Sequence, residues 1–177
     1  MKTFIALLRG INVGGHKKIK MADLRALLTG DGLECVQTYI QSGNIIFQAK
    51  SETNDLADRI MSLIKNSFGF EVPVMIYTTE QLENIIKNCP FEGEKRANSY
   101  FTLLQNSPTR AKRSELMGVS FPDEEFHLVD SCIYSFCAHG YRNAKLNNNY
   151  FEKKLEMAAT TRNLKTMRKL LEMSQIP

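Results

Sequence analysis

The sequence predicts an α+β protein. Segments with strand-like or helical spacing follow one another in the order β-α-β-β-α-β over residues 1–78. After one more helical segment, the order β-α-β-β-α-α follows. The first order is that of a ferredoxin-like unit, and the second nearly repeats it. We therefore expect two ferredoxin-like units of the βαββαβ type, 1–78 and 79–177, the second ending in extra helices.

In the first unit, residues 3–9 are almost continuously apolar, which is typical of a central strand. Apolar residues at helical spacing predict helices over 21–28 and 54–68. Alternating segments predict strands over 36–41 and 45–48, joined by the turn Ser42-Gly43-Asn44. A strand over 72–77 contains Pro73, which indicates a sheet edge or a strand start.

In the second half, Thr79 is predicted as the N-cap of a helix, and the polar segment 91–98 as a linker. Strands are expected over 100–104, 126–129 and 133–138, and helices over 109–117, 148–157 and 162–173. No further strand is evident. The last strand of this unit is therefore expected to be replaced by a helix or supplied from elsewhere.

Positive charge is concentrated in two segments. The net charge is only +4, but residues 9–20 contain four cations and no acid. Residues 142–169 contain eight cations and two acids. Such asymmetry is typical of a surface for an anionic partner, although solvated lysines explain it equally well.

The N-terminal segment and the cysteines argue against secretion, membrane binding and metal binding. The apolar run at the N-terminus is cut short by Arg9, so neither a signal peptide nor a membrane partner is expected. The four cysteines contain no C-x-x-C pair, which favours a cytoplasmic protein with reduced thiols. Cys132, Cys137 and His139 do not have zinc-ligand spacing, so no metal or cofactor is expected.

The loop Gly10-Ile-Asn-Val-Gly-Gly15 lies between a predicted strand and a predicted helix and resembles a phosphate-binding loop. The P-loop pattern requires Lys and then Ser or Thr after the last glycine, whereas His16 and Lys17 follow here. General anion binding by backbone N–H groups remains a hypothesis. A tight structural turn with solvated lysines is the alternative.

Thr161 has the character of an N-cap for the last predicted helix, which places Arg162 in its first turn. A cation there opposes the helix dipole, and a bound anion would reverse that effect. Pairing of Arg162 with a nearby carboxylate is the alternative.

The outward residues Gln37, Tyr39 and Gln41 of a predicted strand are a third candidate. They can contact a ligand on an open sheet face, as aromatic residues do in some RNA-binding sheets. Packing of this face on the second unit is the favoured alternative, because the RNA-binding signature of such sheets is absent. Ser42 lacks the G-x-S-x-G pattern of a nucleophile elbow.

The motifs ALLRGINVGG, TYIQSGNIIF and ATTRN together resemble the bacterial family catalogued as domain of unknown function 1697. The resemblance extends over essentially the whole chain and implies paired ferredoxin-like subdomains. It implies no activity, substrate or cofactor, so no catalytic residue can be assigned. The family pattern usually has tryptophan after TTRN, where this chain has Leu164.

These observations lead to one hypothesis and two alternatives. We expect a monomer or weak homodimer that binds a nucleic acid or a phosphorylated small molecule through the two basic segments, which the fold should bring together. The candidate ligand-binding residues are Arg9, Gly10, Asn12, Gly14, Gly15, Lys17, Lys18, Gln41, Ser42, Asn44, Thr161, Arg162 and Asn163.

The first alternative is an enzyme of unknown reaction, with the glycine loop as a phosphate or oxyanion cradle and His16 or Tyr39 as proton carrier. The second is a protein interaction module that self-pairs through a strand edge.

Overall fold

A computed structural model describes residues 1–50 and 53–175. Its strands are β1 Lys2–Leu8, β2 Glu34–Tyr39, β3 Asn44–Ala49, β4 Val74–Thr78, β5 Tyr100–Leu104, β6 Glu124–Val129, β7 Cys132–Cys137 and β8 Ala159–Asn163. Its α-helices are α1 Met21–Gly30, α2 Thr53–Phe68, α3 Thr79–Lys87, α4 Gly93–Ala97, α5 Arg110–Met117, α6 Asn148–Leu155 and α7 Leu164–Ser174. A single 3₁₀ turn precedes α6 at Tyr141–Asn143.

The chain forms two compact units. The first contains Met1–Glu83 together with the segment that starts at Lys169, and the second contains Asn84–Arg168. The division falls inside α3 and inside α7. The predicted domain boundary at residues 78–79 stays a prediction.

The first unit is a four-stranded antiparallel sheet in the order β2-β3-β1-β4. The apolar strand β1 lies inside the sheet, as predicted, and residues on both of its faces are buried. Leu24 of α1 and Leu56 of α2 contribute to the core on one face. Strand β4 lies at the sheet edge and starts directly after Pro73, as the missing N–H of proline requires.

The second unit repeats this topology with the order β6-β7-β5-β8. The α+β class and both ferredoxin-like units are therefore confirmed. The prediction that the second unit lacks its own last strand is wrong, because Ala159–Asn163 pairs with β5. This strand escaped detection because its inward positions include Thr160 and Arg162 instead of an apolar series.

The start of the last helix is also corrected. Thr161 lies within β8 and is not an N-cap, and Arg162 is not in a first helical turn. The helix begins at Leu164, and the side-chain oxygen of Asn163 accepts a hydrogen bond from the Thr166 N–H at 2.8 Å. Asn163 therefore has the capping role that the sequence assigned to Thr161.

Two further boundaries differ from expectation. Helix α3 is capped by Thr78, one residue before the predicted Thr79, because the hydroxyl and N–H of Thr78 exchange hydrogen bonds with the N–H and side chain of Gln81. The predicted linker 91–98 contains the short helix α4, and Phe91 is buried.

Across residues 1–50 and 53–175, no helix has the length and apolar character needed to cross a bilayer.

Candidate anion-binding site

Three segments of the first unit meet at one end of its sheet. Strand β1 is antiparallel to both β3 and β4, with Leu7 opposite Asn44 and Leu8 opposite Val74. The end of β1 therefore lies beside the starts of β3 and β4. We call the residues at this end, 9–20, 40–44 and 71–73, the loop junction.

Asn12 closes the β1–α1 loop. Its side-chain oxygen accepts from the Ile19 N–H at 2.9 Å, and its Nδ2 donates to the Ile19 carbonyl at 3.0 Å. The same Nδ2 donates to the Gln41 carbonyl at 2.8 Å, which joins this loop to the β2–β3 loop. Both Nδ2 protons are used in these bonds, so Asn12 organises the loop junction and is not a ligand donor.

Gly43 allows the two loops to approach closely. The Leu8 N–H donates to the Gly43 carbonyl at 2.8 Å, and Gly43 has a φ of +76°. A Cβ atom at this position would lie 2.6 Å from the Leu8 Cβ and 2.9 Å from the Ile11 Cδ1. Only glycine satisfies both the backbone conformation and the spacing.

The neighbouring residues of the β2–β3 loop also have structural partners. Asn44 is fully buried, and its Nδ2 donates to the Tyr39 carbonyl and to the Ser42 hydroxyl, both at 2.9 Å. The carbonyl of Gln41 accepts from Asn12, while the residue itself is exposed. Asn44 and Ser42 thus hold the shape of the loop junction.

The tip of the β1–α1 loop is an exposed glycine turn. The His16 N–H donates to the Val13 carbonyl at 3.1 Å, and the Asn12 N–H donates to the Lys17 carbonyl at 3.2 Å. Gly14 and Gly15 lie between these bonds with φ values of +59° and +79°. Within residues 1–50 and 53–175, their N–H groups donate to no protein acceptor. They are therefore accessible to an anion.

The lysines of this loop have different environments. Lys18 and Lys20 are exposed, and Lys20 occupies the N-cap position of α1 without capping the helix through its side chain. Lys17 donates from Nζ to the Glu71 carbonyl at 2.6 Å, so its ammonium is held against the chain. Among the cations of the loop, Lys18 and Lys20 are thus the most accessible to a ligand. Lys20 was not among the predicted site residues.

Arg9 and Gly10 begin the loop and are partly buried. The Arg9 N–H donates to the Pro73 carbonyl at 3.0 Å, and Gly10 has a φ of +69°. This backbone bond joins the third segment of the loop junction to β1.

The fold also brings one acidic residue into the loop junction from a distant part of the sequence. Glu71 accepts a hydrogen bond from Lys65 at 2.7 Å. That bond, with the charge of Lys17, holds the pKa of the Glu71 carboxyl below its ordinary value. The loop junction remains net positive, but less so than residues 9–20 alone suggest.

The other predicted site residues lie in the second unit. Arg162 is 8% exposed and donates to the Thr160 hydroxyl at 2.7 Å and the Thr161 carbonyl at 2.9 Å. Burial lowers the pKa of its guanidinium to about 10. Arg162 is thus a buried strand residue and not an exposed cation at a helix start.

Thr161 and Asn163 likewise have structural partners. The Thr161 hydroxyl donates to the Asn148 side-chain oxygen at 2.9 Å and lies 2.8 Å from the Thr102 hydroxyl. Asn163 caps α7. The structure therefore brings the glycine loop and the β2–β3 loop together in one unit, while Thr161, Arg162 and Asn163 belong to the other.

The fold and loop junction define a class of protein: two ferredoxin-like units in one chain, the first with a basic loop between its first strand and first helix. The chain belongs to the family described as protein of unknown function (DUF1697), whose profile matches residues 1–134. This match includes the whole loop junction and confirms the family that the sequence resembles, while the ATTRN motif lies outside the matched residues.

A solved structure has the same fold. The conserved bacterial protein SP0830 from Streptococcus pneumoniae is 25% identical to this chain and superposes with a TM-score of 0.78. The match covers 98% of this chain and 99% of that protein. No curated protein matches the sequence.

Proposed function

We propose that the loop junction of the first unit binds the phosphate groups of a nucleic acid. The observation that supports this most strongly is the exposed turn at Gly14 and Gly15, beside the accessible side chains of Lys18 and Lys20. Backbone N–H groups and lysine ammonium groups are the usual partners of phosphate oxygens in nucleic-acid complexes.

The closed ends of the loop support the same proposal. Asn12 holds the two ends together through its bonds to Ile19, and Ile11 and Ile19 are buried anchors. Ends that are already joined lose little conformational entropy when a ligand binds.

A nucleic acid suits this surface better than a small phosphorylated molecule does. Small ligands are usually enclosed, with most of their surface buried in a cleft. Here Gly14, Gly15, His16, Lys18 and Lys20 are all exposed. An exposed basic loop is suited to a polymer whose phosphates lie along its outside.

Fluorescence anisotropy with labelled RNA and DNA of about 15 nucleotides tests the proposal at low salt, since such a length fills the site of a typical single-strand binder. Lys18→Gln/Lys20→Gln should weaken binding about tenfold or more, because phosphate contacts supply most of the affinity. Lys2→Gln/Lys50→Gln is the matched control, since both lysines are exposed at the opposite end of the same sheet.

The control variant should bind as the unmodified protein does. Absence of binding to every oligonucleotide at low salt would overturn the proposal. If the protein binds nucleoside phosphates but binds no oligonucleotide, the ligand is instead a small phosphorylated molecule.

A further inference from the structure

Ile40 has a backbone conformation that its side chain disfavours. It has a φ of +49°, and the residue is 51% exposed. The left-handed region is a genuine outlier for a β-branched residue and costs about 1–2 kcal/mol. A half-exposed isoleucine recovers about half of the 1.5–3 kcal/mol of full burial, which roughly offsets the strain. Isoleucine therefore has no net advantage at this position over asparagine, which tolerates the left-handed region.

A second exposed apolar residue lies on the adjoining loop. Val13 is 64% exposed at the tip of the β1–α1 loop. Val13 directly follows Asn12, and Ile40 directly precedes Gln41. The side chain of Asn12 donates a hydrogen bond to the carbonyl of Gln41. The exposed large hydrophobic residues of the described chain are Met1, Val13, Ile40 and Met117.

Single exposed apolar residues are common and need no explanation. Two of the four in the described chain, however, lie on loops joined by one hydrogen bond, and one of them is in a strained conformation. Backbone strain of this kind is concentrated at functional sites. The pair is therefore suited to a partner that has apolar surface as well as phosphate.

We infer that Val13 and Ile40 contact unstacked bases of a single-stranded nucleic acid whose phosphates bind Lys18 and Lys20. This inference rests on the proposed function and adds the class of nucleic acid. In a duplex the faces of the bases are stacked on one another, so side chains reach only base edges in the grooves. In a single strand the faces are free to pack against protein side chains.

The charge of the loop junction narrows the choice of partner. Lys18 and Lys20 lie in the same loop as Val13, so the loop junction suits an anionic partner with apolar parts. A single strand presents a base with every phosphate. An anionic lipid surface is the competing partner and forms one arm of the test.

The test compares a labelled single strand, the duplex of the same sequence, inorganic polyphosphate and vesicles containing phosphatidylserine. Ile40→Asn removes the apolar contact and places a residue that tolerates the left-handed region, so the fold should be retained. Val13→Thr removes apolar character at nearly constant volume. Met117→Thr is the matched control, since Met117 is exposed on α5 of the second unit.

The unmodified protein should bind the single strand about tenfold more tightly than the duplex. Ile40→Asn and Val13→Thr should each weaken single-strand binding about three- to tenfold, a range expected when the exposed half of one aliphatic side chain becomes buried. Binding to polyphosphate should be unchanged, and Met117→Thr should bind as the unmodified protein does.

Equal affinity for single strand and duplex would overturn this inference while leaving phosphate binding by the lysines intact. A second outcome is that the protein binds vesicles, loses that binding in Ile40→Asn and shows no preference for single strands. This outcome would identify a lipid surface as the partner and would also overturn the inference. Absence of binding to every nucleic acid would overturn the proposed function itself.

Discussion

The side chain of Asn12 donates a 2.8 Å hydrogen bond to the carbonyl of Gln41, and this bond joins the β1–α1 loop to the β2–β3 loop. The same side chain bridges to both backbone groups of Ile19. Gln41, 29 positions from Asn12, and Ile19, 7 positions from it, are thereby joined in one surface. This amide therefore helps to organise the candidate site, and both of its Nδ2 protons are used in doing so.

Asn12→Ala should destabilise the protein. It removes three hydrogen bonds, and each typically contributes about 1 kcal/mol, so the free energy of unfolding should fall by about 2–3 kcal/mol. Urea denaturation followed by circular dichroism measures the change. Asn66→Ala, on the exposed side of α2, is the control and should change stability by less than about 0.5 kcal/mol. Equal stability of the two variants would show that the hydrogen bonds of Asn12 do not stabilise the protein.

Gly43→Ala should be far more damaging than Gly15→Ala. The two glycines have nearly the same φ, +76° and +79°, so the conformational cost of about 1 kcal/mol is common to both. Only at Gly43 would the new Cβ overlap Leu8 and Ile11. Overpacking adds about 1–3 kcal/mol. Thermal unfolding of both variants measures the difference, and similar melting temperatures would contradict the packing described for Gly43.

Thiol labelling should distinguish Cys35 from the other cysteines. Cys35 is exposed, whereas Cys89, Cys132 and Cys137 are buried. Burial raises the pKa of Cys137 to about 11 and also raises the pKa of Cys132, so both remain protonated and unreactive at about pH 8. A chromogenic disulfide reagent should therefore label one thiol in the folded protein and four after denaturation. Rapid labelling of two or more folded thiols would contradict the buried positions.

Ser135 and Thr102 should respond oppositely to loss of their hydroxyls. Both are buried in the second sheet, but the Ser135 hydroxyl has no hydrogen-bond partner in the part of the chain that the structure describes. The Thr102 hydroxyl lies 2.8 Å from the Thr161 hydroxyl. Ser135→Ala should leave stability unchanged or raise it by up to about 1 kcal/mol, and Thr102→Val should lower it by about 1–2 kcal/mol. Calorimetry measures both changes, and a large loss for Ser135→Ala would contradict this assignment.

Much of the fold followed from periodicity and turn chemistry. The apolar run before Arg9 predicted a central strand, and Pro73 predicted a sheet edge or a strand start for β4. The second unit was harder to predict. Its strand β8 buries Thr160 and Arg162, so the sequence shows no alternation of apolar residues there. A strand held by pairing with β5 and by side-chain hydrogen bonds has a weak signature in a single sequence.

The candidate site was predictable in part. The glycine turn and Lys18 were evident from the sequence and Lys20 was missed, whereas the role of Asn12 depends on tertiary contacts with Ile19 and Gln41. Glu71 is distant in sequence from Lys17, so its effect on local charge could not be seen. The strain at Ile40 arises from the geometry of the β2–β3 loop and was likewise invisible.

The salt dependence of single-strand binding tests the central claim most directly. The logarithm of the binding constant should fall linearly with the logarithm of salt concentration, with a slope of about −0.7 for each phosphate contacted. Lys18→Gln/Lys20→Gln should reduce the steepness of this slope by about 1.4, because two contacts are lost. Lys2→Gln/Lys50→Gln should leave it unchanged. An unchanged slope in Lys18→Gln/Lys20→Gln would contradict phosphate binding at the loop junction.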